Sequence, residues 1–343
     1  MRKLLNILYV TSPKSYIKRD GENIVIYNDQ TETFRIPAHN LEGIVMFGYM
    51  GASPGAMQLC TEQGIALSFL KESGQFMARV QGKVSGNVLL RRRQYRMADM
   101  DADCVRIATR FIAAKVANSR NVLIRGIRDH GEHVNQTLVR NTSDELKKSV
   151  RKVMHVTSLD EILGVEGDAS KRYFAAMNEL ILYGKEAFYM KGRNRRPPRD
   201  RMNALLSYLY TFLMLETQSA LETVGLDPAV GFLHRDRPGR ASLALDVMEE
   251  LRAYMVDRLA LSLVNRKQIQ VNDFLVQENE AVILKQDARK KVISAWQERK
   301  QTVITHPYLK EKIQLGLLPY VQALLLARHI RGDLDDYPPF VWK

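Results

Sequence analysis

The chain has 343 residues, with 51 Lys or Arg against 38 Asp or Glu, and its formal net charge of +13 calls for a polyanionic partner, nucleic acid or an anionic surface. That length allows two domains or one large one, and no segment is long and apolar enough for a transmembrane helix. The two cysteines, Cys60 and Cys104, have neither metal-site spacing nor a disulfide framework and read as reduced, buried thiols of a cytoplasmic protein.

The N-terminus has a basic start and an apolar run but no clear small-residue cleavage site, and a β-strand over residues 4–10 explains it better than a signal peptide. Strands are also expected over residues 24–27, 33–37, 41–47, 65–70 and 75–80, separated by Gly, Pro and Asn-Asp punctuation. Residues 53–60, with Pro54 in the first turn, read as a capped helix. Residues 1–85 therefore form a small β-rich domain. Its core is small, so it is expected to lean on a partner subunit or on the second domain.

Residues 86–98, which contain Arg91-Arg92-Arg93, read as a linker. The period then becomes helical, and residues 99–343 read as an all-α catalytic domain, giving the α+β class overall. The first helix covers 99–118, with Cys104, Ile107, Phe111 and Val116 on its apolar side and 119–131 as an extension. Shorter helices are expected at 142–154 and 157–163, the second opened by a Ser158/Glu161 capping box. Small residues over 164–170 precede a helix running to about residue 182. Lys191, Arg193, Arg195, Arg196, Arg199 and Arg201 form a basic loop in which Pro197-Pro198 forbids a helix. Long helices follow at 203–224 and 243–266, then a capped turn at 271–274, a short strand or loop at 282–284, a basic surface helix at 287–301 and a final helix at 309–331 broken near Gly316. The tail 333–343 is loose unless it docks.

The chemistry concentrates in two stretches. In the first, Gly231-Phe232-Leu233-His234 leads through a loop carrying Arg235, Arg237 and Arg240 into a helix with Leu243, Val247, Leu251, Met255 and Leu259 as its buried stripe. Asp246, Glu249 and Glu250 lie in the first turns of that helix, and Asp246 and Glu249 share a side. In the second, Glu166 lies among small residues that let a backbone or a substrate come close. Glu166, His234 and Glu249 make a hard-oxygen set with one imidazole, which suits Mg²⁺ or Mn²⁺ at a phosphate better than structural zinc. The plainer readings are a satisfied core histidine at 234, surface ion pairs of Asp246 and Glu249 with Arg252 or Arg258, and a helix-start hydrogen bond for Glu166. The arginine loop over 193–201 favours phosphate contact over a solvated surface. Tyr173 and Phe174 read as core, and His130 and His133 as surface.

Four motifs, Glu166-Gly-Asp-Ala-Ser-Lys-Arg-Tyr-Phe, Asn203-Ala-Leu-Leu-Ser-Tyr-Leu-Tyr210, Gly231-Phe-Leu-His234 and Leu243-Ala-Leu-Asp246-Val-Met-Glu249-Glu250, resemble the CRISPR adaptation integrase family over nearly the whole chain. The segments at residues 4–10 and 22–25 look most like its type I-C version. The resemblance implies an N-terminal β-domain, a linker and a helical domain holding the active site of a metal-dependent endonuclease that inserts spacers into a CRISPR array. It assigns Glu166, His234 and Glu249 as ligands of Mg²⁺ or Mn²⁺. Asp246 becomes a further catalytic acid, and Tyr210 a tyrosine near the site on the DNA-binding side. Independently of the resemblance, the arginines at 193, 195, 196, 199, 201, 235, 237 and 240 read as phosphate contacts from their own chemistry. The resemblance further implies a homodimer through the N-terminal domains and a heterohexamer of two such dimers with one dimer of a small companion protein. An iron–sulfur nuclease is implied as a separate partner, since this chain lacks the cysteines for a cluster. The competing expectations are a structure-specific endonuclease of repair or recombination and a non-enzymatic DNA-binding scaffold.

Overall fold

Strand alternation and turn residues at the start of the chain produce two sheets. In the computed structural model, which describes residues 6–83, 87–194 and 197–342, the chain divides into two units at residues 86/87. In the first unit, β1 (Asn6–Val10), β5 (Leu41–Phe47), β6 (Ala66–Leu70) and β7 (Phe76–Val80) form one sheet in the order β1-β5-β6-β7. A second sheet is the meander of β2 (Ser15–Asp20), β3 (Asn23–Asn28) and β4 (Thr31–Pro37). The pairs β1/β5 and β5/β6 are parallel and β6/β7 is antiparallel. The parallel β5/β6 pair needs a crossover, and α1 (Pro54–Glu62) supplies it, capped by Ser53 Oγ on Ala56 N at 3.2 Å. Ile17, Ile24, Ile44, Met46, Leu59, Cys60 and Leu67 form the core of this unit. Strand β2, which Lys18 and Arg19 disguise in the sequence, pairs with β3 through the turn at Gly21.

The second unit is helical, so the α+β reading of the chain holds. Residues 88–98, read from the sequence as part of the linker, form helix α2 (Val88–Ala98). It is no loose connector: Gln94 Nε2 donates to the carbonyls of Asp227 and Val230 at 2.8 and 2.9 Å and Gln94 Oε1 accepts from Asp227 N at 2.9 Å. The expected helix and its extension are one 30-residue element, α3 (Asp101–His130). Gly126 lies within it, where the Leu180 side chain occupies the space a Cβ would take. Asn135 and Ser158 cap α4 (Gln136–Val153) and α5 (Leu159–Met177) by accepting from Leu138 N and Glu161 N at 3.1 and 3.3 Å.

Helix α5 corrects the expected break before residue 173: Gly164 and Gly167 lie inside it, and no neighbour approaches within 4 Å of either Cβ position. The short α6 (Lys185–Phe188) and the basic loop lead into α7 (Arg201–Thr223), capped by Asp200 Oδ1 on Asn203 N at 2.8 Å. Helices α8 (Ser242–Arg252) and α9 (Arg258–Asn265) are joined by a π-turn over Ala253–Asp257. The expected stripe of Leu243, Val247, Leu251, Met255 and Leu259 is buried throughout.

The hairpin of β8 (Phe274–Val276) and β9 (Val282–Leu284) precedes α10 (Gln286–Gln301). Helix α10 is more than a surface helix, since it buries Trp296 and the Lys300–Glu216 ion pair of 2.8 Å. A second hairpin, β10 (Val303–Thr305) with β11 (Lys312–Gln314), occupies part of the expected last helix, which shortens to α11 (Leu318–Arg331). The tail docks: Tyr337 and Phe340 are buried, and Trp342 N donates to Asn118 Oδ1 at 2.9 Å.

A candidate acid–histidine centre on α3, α5 and α8

Helix α8 carries Asp246 and Glu249, three residues apart and both buried. Asp246 closes the turn that precedes its own helix. Its Oδ2 accepts from Phe232 N at 2.7 Å and Leu233 N at 2.9 Å, and its Oδ1 from His234 N at 3.0 Å. The His234 ring sits 2.6 Å from Asp246 Oδ1 through Nδ1. A carboxylate that accepts from three backbone N–H groups and contacts the ring nitrogen fixes the orientation of that ring. The turn needs glycine at 231: a Cβ there would lie 2.8 Å from Asp246 Oδ2 and 2.9 Å from His234 O.

Glu249 faces two cations. Arg252 Nη1 holds its Oε1 at 2.9 Å and Lys115 Nζ lies 2.7 Å from its Oε2. Lys115 rises from α3 and also pairs with Glu166 Oε1, which Ser170 Oγ contacts at 2.7 Å. Glu166 and Glu249, 83 positions apart in the chain, thus converge on one ammonium group. The Glu249 Oε2 atom is buried without an aligned hydrogen-bond donor. Burial pushes the Glu249 carboxyl up, but Arg252, Lys115 and His234 outweigh it and hold it down at about 2. Of the plainer readings, the Glu249–Arg252 pair forms but is buried rather than at the surface, the His234 ring is satisfied by Asp246, and Glu166 lies well inside α5 rather than at its start. The third acid of the motif, Glu250, turns to the opposite side of α8.

The π-turn after α8 places Asp257 below Tyr173 and Tyr210, whose hydroxyls donate to it at 2.9 and 2.5 Å. Burial raises the Asp257 carboxyl against the lowering effect of the two phenols. Arg299 of α10 donates to the carbonyls of Met255, at 2.9 Å, and Tyr254, which lie within the turn. The guanidinium of Arg252 lies over the Tyr210 ring at 5.0 Å, and that of Arg193 over the Tyr210 and Phe174 rings at 5.4 Å each. A cavity of about 330 Å³ lies between α5 and the basic loop, lined among others by Gly167, Ser170, Phe174, Tyr189, Lys191 and Arg193.

The predicted arginines divide by environment. Arg193 bonds Asn203 Oδ1, Arg201 donates to Ala187 O at 3.1 Å, and Arg199 is exposed, 3.7 Å from Glu280. The basic loop is tied down by Val282 N donating to Pro198 O at 2.8 Å. Arg195 and Arg196 lie outside the described residues. Arg235 pairs with Asp101 at 2.8 Å, Arg240 folds back onto Arg235 O, and Arg237 is exposed. Sequence reasoning missed Lys115, Ser170, Asp257 and Gln94. One signal was available for Lys115, which falls four residues after Phe111 on the buried side of α3. Among the described residues, no group of three or more His, Cys, Asp or Glu is arranged to hold a metal ion. An ammonium group stands between the two nearest carboxylates instead.

Fold and centre together define a two-unit protein, β-rich then helical, with an acid–histidine cluster gathered from three helices and a turn. Residues 8–298 match the family described as CRISPR associated protein Cas1. CRISPR-associated endonuclease Cas1 1 of Chlorobaculum tepidum is 49% identical over 343 residues, covering 100% of both chains. Among solved structures, a casposase bound to integration product aligns with a TM-score of 0.84 at 23% identity, over 97% of this chain and 92% of that one. A Cas6-RT-Cas1–Cas2 complex aligns with a TM-score of 0.85 at 24% identity, over 100% of this chain and 36% of that one. These two likenesses are of fold. The chain belongs to the Cas1 family of CRISPR-associated proteins.

Proposed function

We propose that this chain is the metal-dependent endonuclease and integrase of CRISPR adaptation, which joins 3′-OH ends of protospacer DNA to phosphodiesters at the ends of a CRISPR repeat. The carrying observation is the meeting of Glu166 and Glu249 on one cation beside His234, in a chain of the Cas1 family. The relative from Chlorobaculum tepidum is named an endonuclease, and a casposase of the same fold is solved with an integration product, which supports strand transfer over simple cutting.

The donor set fits a hard divalent ion. Two carboxylates already share a cation, Glu249 Oε2 is buried without an aligned donor, and the His234 ring is fixed through Nδ1 by Asp246. Glu166, His234 and Glu249 would hold Mg²⁺ or Mn²⁺, which when bound polarises a phosphate oxygen and stabilises charge in the displacement. Asp246 fixes the imidazole rather than touching the ion, because its oxygens are taken by the 232–234 turn and the ring. Arg252 fixes Glu249 through Oε1, and Tyr210 supports Arg252 and Arg193 from beneath. The cations at 193, 195, 196, 199, 201, 235, 237 and 240 neutralise DNA phosphates, a role the net charge of +13 favours.

The finer reading is the type I-C version, acting in cytoplasm. Residues 1–85 carry a homodimer contact, and residues 99–343 carry catalysis. A small companion protein joins two such dimers into a heterohexamer, and a separate iron–sulfur nuclease processes the incoming ends. A Cas6-RT-Cas1–Cas2 complex of the same fold supports the companion, and the exposed edge strand β4 with Phe34 supports the homodimer.

The test is half-site integration by purified protein with a free 3′-OH donor and Mg²⁺ or Mn²⁺. Joined strands are expected from the wild type, with loss in Glu166→Ala and His234→Ala of unchanged folding. Cut strands alone would favour a structure-specific endonuclease, and DNA affinity indifferent to metal with no product would favour a scaffold.

A further inference from the structure

Resting on that reading of the centre, we propose that Lys115 is a built-in competitor of the divalent ion, holding the ion's place between Glu166 and Glu249 until the ion displaces it. Lys115 is buried, and a buried ammonium is costly unless paired. Here two carboxylates from different helices close on it. The arrangement also accounts for the finding that, among the described residues, no three such donors are set for a metal ion: the carboxylates are spaced around an ammonium.

The two cations on Glu249 are not equivalent. Arg252 grips Oε1 while its planar head lies over the Tyr210 ring, a fixed geometry. Lys115 faces Oε2, the oxygen without an aligned donor, from the end of a flexible four-carbon stem. A divalent ion seated against Glu166 and Oε2 would meet the ammonium at contact distance, and like charges at that distance repel strongly. The lysine is the group able to swing away. Displaced, it stays tethered to α3 beside the same carboxylates, where a scissile phosphate would bring negative charge. Without the ion, it relieves the repulsion between Glu166 and Glu249 and so stabilises the free protein.

Mn²⁺ alone, added to full-length protein and followed by loss of the free Mn²⁺ resonance, tests this without reference to activity. Lys115→Met, and Lys115→Gln as the variant that keeps a neutral donor, should bind Mn²⁺ at least about tenfold more tightly than the wild type. Both should melt lower than the wild type without metal and gain more in Tm from Mn²⁺. Binding in the variants alone would support the proposal equally. Unchanged or weaker affinity in both variants, with the wild type binding, would overturn it and leave the metal reading standing. No Mn²⁺ binding by any of the three proteins would overturn both.

Discussion

Glu249 and Glu250 are neighbours on one helix, both buried, and their carboxyls shift in opposite directions. Glu249 is held at about 2 and Glu250 is raised to about 7. Burial pushes both up, so the partners decide the sign. Glu249 faces Arg252, Lys115 and His234. Glu250 faces neutral donors: its Oε1 accepts from Tyr337 Oη at 2.6 Å and Gln322 Nε2 at 2.9 Å, and its Oε2 from Phe340 N at 3.0 Å. Hydrogen bonds from neutral groups stabilise a carboxylate less than full charges do. One side of α8 is therefore built to keep charge and the other to fasten the C-terminal tail.

The contrast breaks most visibly in activity. Glu249→Gln should lower strand transfer by at least about a thousandfold, since it removes a charge aimed at the reacting phosphate. Glu250→Gln should keep activity within about tenfold, since the amide alters only the tail contact. Half-site integration under single-turnover conditions measures both. Equal losses would mean that the two sides of the helix are not functionally distinct.

Stability reverses the ranking. Glu250→Ala leaves Tyr337, Gln322 and the Phe340 amide without their shared acceptor and should cost about 2–4 kcal/mol. Denaturant unfolding followed by far-UV dichroism reads this as a lower midpoint for the helical unit.

The same two residues should also tilt stability oppositely with pH. The folded Glu250 carboxyl, at about 7, keeps its proton where an unfolded one with the ordinary 4.5 has lost it. Its contribution is therefore full below about 4.5 and falls as pH rises to about 7. The folded Glu249, at about 2 against the ordinary 4.5, contributes fully above about 4.5 and loses this as pH falls to about 2. Glu250→Gln should flatten the Tm decline between pH 4.5 and 7, and Glu249→Gln should flatten the acid limb. A decline unchanged in Glu250→Gln would remove Glu250 as its source.

What the sequence disclosed follows the same division between local pattern and distant partner. The stripe from Leu243 to Leu259, the Ser53 cap and the strand at residues 41–47 were readable because period and capping are local. The acids and the histidine stood out as charges in an apolar setting, together with family motifs. The reach of Lys115 from α3 to α5 and α8 was not readable, because helix packing, not spacing, brings residues 115, 166 and 249 together. The inner position of Glu166 was hidden because Gly164 and Gly167 look like a turn when their open surroundings are unknown. The π-turn leaves no local signature, since Arg299 lies 44 residues beyond Met255, in a separate helix. The docked tail was invisible for the same reason: its anchor, Glu250, looked like one more acid of the centre.

The smallest expected effect carries the contrast out to the surface. Arg237 is exposed on the loop that follows His234, whereas Arg331 ends α11, the helix that presents Gln322 to Glu250, and pairs with Asp333 at 2.6 Å. If DNA lies across the catalytic side alone, Arg237→Ala should weaken binding a few-fold and lower the slope of log affinity against log salt by about 1, the value for one lost phosphate contact. Arg331→Ala should leave the slope unchanged, because removing a cation far from DNA releases no counterion on binding. Fluorescence anisotropy with one duplex across a salt series measures both. A slope that falls equally in the two variants would place DNA on both sides of α8, and the tail side would then share in binding as well as in support.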